Sequence, residues 1–154
     1  MKTPFYFLAI TAIISISCER KEAGEPDDSS FLQGTWELLS ETKIENGDTT
    51  FTPASKDQRM IKIINETHFA FLRHDLNGGK DSTAMFVAGG GKYSLNGNAY
   101  HEELEYCNFR EWENHNFDFH VSVETDTLTQ QGSEKVEGAG IDRIIIEKYR
   151  RVSE

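Results

Sequence analysis

The side chains best suited to chemistry in this sequence are five histidines, two cysteines and a glutamate set among tyrosines. His68, His74, His101, His115 and His120 could ligate a metal or carry a proton. On extended backbone, however, His115 and His120 point to opposite faces, and His68 lies opposite Phe69 and Phe71. No two histidines stand two residues apart, so a metal site would need convergence of distant segments. His101, Glu103, Glu105 and Cys107 fall on one strip, which reads as a solvated strand face. A lone structural thiol at Cys107 should be buried, so that phase leaves its placement open. No metal and no cofactor are expected. Glu102 alternates with Tyr100 and Tyr106, and a carboxyl among tyrosines is either hydrogen-bonded structure or the polar anchor of a ligand site. Gly-x-Ser-x-Gly, a phosphate loop and Cys-x-x-Cys are all missing. That leaves only His68 or Glu102 as a general acid or base, and a non-enzymatic protein is expected.

The other cysteine carries an address. Met1-Lys2-Thr3 gives a short positive start, and an apolar run from Phe5 to Ile16 follows. It is too short for a bilayer core about 30 Å thick, which needs about 20 apolar residues. It has the form of a secretory signal ending at Ser15-Ile16-Ser17-Cys18. A cysteine at that point resembles the bacterial lipobox, whose cysteine becomes the lipidated first residue; Ser15 stands where leucine is usual. The expected organisation is a signal over 1–17, lipidated Cys18 with a flexible acidic tether over 18–30, and one domain over 31–154. The expected location is the bacterial cell envelope, anchored by lipid in the outer membrane. The alternative is cleavage after Ser15-x-Ser17, giving a soluble secreted or periplasmic protein.

Charge narrows the partners. The 154 residues carry a net charge of −10, and residues 31–154 alone, with 13 Lys or Arg against 21 Asp or Glu, carry −8. Nucleic acid needs clustered cations to displace counterions, so it is not an expected partner.

The elements that must position these residues are strands. Phe117 to Glu124 is apolar at every odd position. Ile61, Ile63, Phe69 and Phe71 share a phase and suggest two strands joined near Asn65-Glu66. Tyr93 to Leu95 and Tyr100 to Tyr106 flank Asn96-Gly97-Asn98, where Asn-Gly predicts a type I′ hairpin. Further strands open at Trp36 and run from Thr127 and from Ile141 to Val152. Gly89-Gly90-Gly91 within one strand would allow the bend of a closing sheet. Eight or nine short-linked strands with no crossover helix make an all-β antiparallel meander. If it closes, first and last strands pair, setting Arg151 over Trp36 in a cation–π contact at the barrel floor. Glu147, in phase with Arg151, could pair with it.

A Gly-x-Trp at the start and an arginine near the end resemble the marks of the lipocalin and fatty-acid-binding superfamily. The closer resemblance is to lipocalin-like domains of unknown function in bacterial lipoproteins. The matching segments are Gly34-Thr35-Trp36-Glu37-Leu38, Thr67-His68-Phe69-Ala70-Phe71, Gly89-Gly90-Gly91-Lys92-Tyr93, Tyr100 to Tyr106 and Tyr149-Arg150-Arg151. Tyr149 stands where tryptophan is frequent. The resemblance implies an up-and-down barrel of eight to ten strands around a cavity, closed by Gly34, Trp36, Tyr149 and Arg151, with no established catalytic activity.

Strand phase turns Phe69, Phe71, Tyr93, Tyr100, Glu102, Tyr106, Phe117 and Phe119 inward as candidate ligand contacts, with Leu95 and Leu104. Two functions follow. The first is an envelope lipoprotein binding a small hydrophobic or amphipathic ligand. The second is a solid barrel engaging a protein partner through loops at Lys43–Lys56, His74–Ser82 or 109–116. In the last of these, Trp112 beside Arg110 either anchors an interface or folds over the barrel rim.

Overall fold

A computed structural model describes residues 29–153. Cys18, the expected signal and nearly all of the expected tether lie outside the described residues. A short 3-10 turn, Ser29–Phe31, leads into β1 (Gly34–Glu45), β2 (Asp48–Pro53), β3 (Gln58–Ile64), β4 (His68–Asp75) and β5 (Phe86–Asn96). Then come β6 (Ala99–Cys107), a 3-10 turn at Arg110–Trp112, β7 (His115–Glu124), β8 (Thr127–Val136), a 3-10 turn at Glu137–Ala139 and β9 (Ile141–Arg151).

All pairings are antiparallel between neighbours, and β1 also pairs with β9. The result is a closed up-and-down barrel of eight strands, β1 and β3 to β9, with β2 added beside the outer half of β1. Closure removes the free edges of the eight-stranded sheet and leaves β2, which pairs only with β1 among the described residues, as an edge strand. The core runs along the inner face through Trp36, Phe69, Tyr100, Leu104, Phe117, Phe119, Val121, Leu128, Ile145 and Tyr149.

Several turn and phase expectations are corrected. The Asn-Gly turn of type I′ is not at Asn96-Gly97: that hairpin centres on Gly97 and Asn98, and only Gly97 has positive φ. Asn46-Gly47, inside the segment expected to be a loop, has positive φ at both residues and joins β1 to β2. Ile63 faces outward at 40% exposure, because Lys62 and Ile64 take the inner face of β3.

Tyr106 is also corrected. It was expected inside with Tyr100, Glu102 and Leu104, yet it is 69% exposed on the outer face. The register of β5 against β6 shifts between Gly90 and Lys92, so Gly90 faces Tyr106 while Lys92 faces Glu103. The extra residue on β6 is a β-bulge, and it inverts the alternation beyond it. Cys107 therefore turns inward and is buried, which resolves its phase conflict.

Candidate functional site

The site begins with the closed end. Trp36 and Arg151 are direct partners across β1 and β9, and the Arg151 guanidinium lies 4.0 Å from the Trp36 ring centroid. Arg151 donates to the carbonyls of Gln33 (2.6 Å) and Phe31 (2.7 Å), while Trp36 Nε1 donates to Leu32 O at 2.8 Å. Gly34 has φ +135°, and a Cβ there would sit 2.7 Å from an Arg151 nitrogen, so only glycine fits. Tyr149, beside this seal, is fully buried. Arg151 is thus committed to the floor and does not pair with Glu147, which corrects that expectation.

Above the floor lies a packed aromatic layer. Tyr93 and Tyr100 have ring centroids 5.1 Å apart, and the Tyr93 hydroxyl donates to Asn65 O at 2.7 Å. Phe69 is buried in the same layer. These three expected ligand contacts lie beneath the cavity, not on its wall.

The cavity, about 260 Å³, occupies the middle and open end of the barrel. Of the expected contacts, Phe71, Glu102, Phe117 and Phe119 line it. Trp112 folds over the rim, half-buried, 5.9 Å from Phe117 and with Arg143 5.7 Å from its ring. This loop exposes Phe109, Arg110, Glu111, Asn114 and Asn116.

Sequence reasoning missed most of the polar wall. Lys62, only 3% exposed, ion-pairs with Glu102 and donates to Gln130 Oε1 at 2.6 Å. Glu134 and Arg143 face each other across β8 and β9 and pair at 2.6 Å. Glu41 pairs with Lys43 at 2.7 Å. Glu41 and Glu147 are direct partners across β1 and β9, and Gln130 flanks Glu147 from β8. Gln130 could have been found from its phase with Leu128. Lys62 could not, because its isoleucine neighbours claim the inner face on hydrophobicity alone.

Burial dominates the titration of these groups. It raises Glu147 to about 7, assisted by Glu134 and Glu41 and opposed by Lys62 and the Tyr149 hydroxyl. It also raises Glu134, although Arg143 opposes it. Tyr100 and Tyr149 are pushed well above the ordinary phenol value by burial and by the carboxylates of Glu102 and Glu147. The buried Tyr100 hydroxyl has no hydrogen-bond partner of standard geometry, although Glu102 is near enough to act on it.

No protein-family model matches the chain, and a search of curated proteins finds no significant match. Among the described residues, no three His, Cys, Asp or Glu side chains converge as a metal site would need.

Proposed function

We propose that this protein is a non-enzymatic lipoprotein of the bacterial cell envelope whose barrel binds a small hydrophobic or amphipathic molecule. The observation that carries the reading is a cavity of about 260 Å³ whose wall is apolar on one part and ionisable on another. Phe71, Phe117, Phe119, Leu104 and Trp112 supply a dry surface, while Lys62, Glu102, Gln130 and Glu147 supply fixed polar groups. A barrel serving only as a scaffold gains nothing from a lined void, because missing contacts forfeit dispersion energy. The lipid tether rests on the Ser17-Cys18 junction after the apolar run, and the lipocalin-like resemblance supports both parts of the reading.

The experiment is mass spectrometry on the full chain recovered from a bacterial envelope. A diacylglyceryl mass on the Cys18 peptide, lost in Cys18→Ser, supports the anchor. Native spectra should carry a co-purifying small molecule that denaturation releases. An unmodified Cys18 removes the anchor, and an empty protein whose melting temperature ignores every amphiphile tried removes the binding function. A partner would then be sought at the exposed face of loop 109–116.

A further inference from the structure

Resting on that reading of the cavity, we infer that the ligand is an amine: an organic cation with an apolar, aromatic-compatible body, its ammonium seated on the Glu147 carboxylate. The argument comes from the pairing of charges along the cavity wall. Lys62 is satisfied by Glu102 and Gln130, Arg143 by Glu134, and Lys43 by Glu41. Arg73 is half-buried at the mouth, where it donates to Gln58 at 3.2 Å. Among the described residues, Glu147 is the one carboxylate on this wall with no cation within ion-pair distance. It is nonetheless only 7% exposed.

Its surroundings favour a cation over the alternatives. Glu41, also 7% exposed, stands directly opposite on β1, so two buried carboxylates share one stretch of wall. A carboxylate ligand in that stretch would meet both of them, with Lys62 already held by Glu102 and Gln130, and the cavity cation that lacks a carboxylate partner, Arg73, lies at the mouth. A neutral alcohol would bring no counter-charge to Glu147 above pH 7, where its carboxyl, raised to about 7 by burial, is ionised. An ammonium supplies the missing counter-charge and up to three donors, for which Glu147 and Glu41 are acceptors in reach of the same cavity. The ring faces of Phe71, Phe117 and Phe119 then cover the ligand body.

The test uses the full chain carrying Cys18→Ser, titrated calorimetrically at pH 8 with three molecules of one shape: phenylbutylamine, phenylbutanol and phenylbutyrate. The amine should bind at least about tenfold more tightly than the alcohol, with the acid weakest. Glu147→Gln, nearly isosteric, should fold and lose that preference while still binding the alcohol, and Glu41→Gln should weaken the preference partially. If the alcohol or the acid binds as tightly as the amine, or if Glu147→Gln keeps the preference, the amine assignment falls and the binding barrel stands. If none of the three binds and no native ligand co-purifies, both fall.

Discussion

Arg151 holds the closed end of the barrel by two kinds of contact at once. Its guanidinium covers the Trp36 ring and caps two carbonyls that precede β1. Arg151→Met keeps the volume but removes the charge, and should cost about 2–4 kcal/mol, read as a lower denaturant midpoint with unchanged slope. Glu147 acts in the opposite sense. Its folded value, about 7, lies above the ordinary glutamate value near 4.5, so the folded state holds a proton that the unfolded state releases. The group adds no penalty below pH 4.5. Stability falls as pH rises through that window, and the full cost of about 3 kcal/mol applies above pH 7. Glu147→Gln should therefore be more stable than the native protein at pH 8 and equal to it near pH 4, as paired melting curves will show. Cys107 is buried with its thiol value raised by burial, so in Cys18→Ser protein it should resist a disulfide reagent at pH 8 until denaturant is added.

The decisive element is the bulge between β5 and β6. At Gly91 the two strands approach so closely that a Cβ would overlap the Glu103 carbonyl. Gly91→Ala should force the strands apart or cancel the bulge, costing about 3 kcal/mol or more, and a shifted register would expose Cys107 to the same thiol reagent. Tyr106 shows how such an element defeats pattern reading: alternation continues through the sequence while the backbone has already reversed its faces. The glycine run announced a bend, but neither its kind nor its position along β6 was legible. The reverse holds for β2. Its Asn46-Gly47 turn carries the same signal as Asn96-Gly97, but all six residues of β2 are exposed, so no buried alternation marked the strand.

For the whole molecule, the alternating segments, their short connections and the Gly-x-Trp and arginine at the two ends determined an antiparallel meander and which strands would meet if it closed. They did so because period-2 patterning and terminal pairing are local or nearly local properties of the chain. The sequence also determined the net acidity. Tertiary structure alone decided what the barrel encloses. Whether Lys62 or its isoleucine neighbours faced inward depended on Glu102 and Gln130, 40 and 68 residues away in the chain. The isolation of Glu147 depended on Arg151 being drawn to carbonyls before β1, more than a hundred residues upstream. Charge pairing inside a closed barrel is a property of the whole circle of strands. Apart from Glu41 and Lys43, two residues apart on β1, the paired ions of the cavity wall find their partners on other strands, and no single stretch of sequence contains that information.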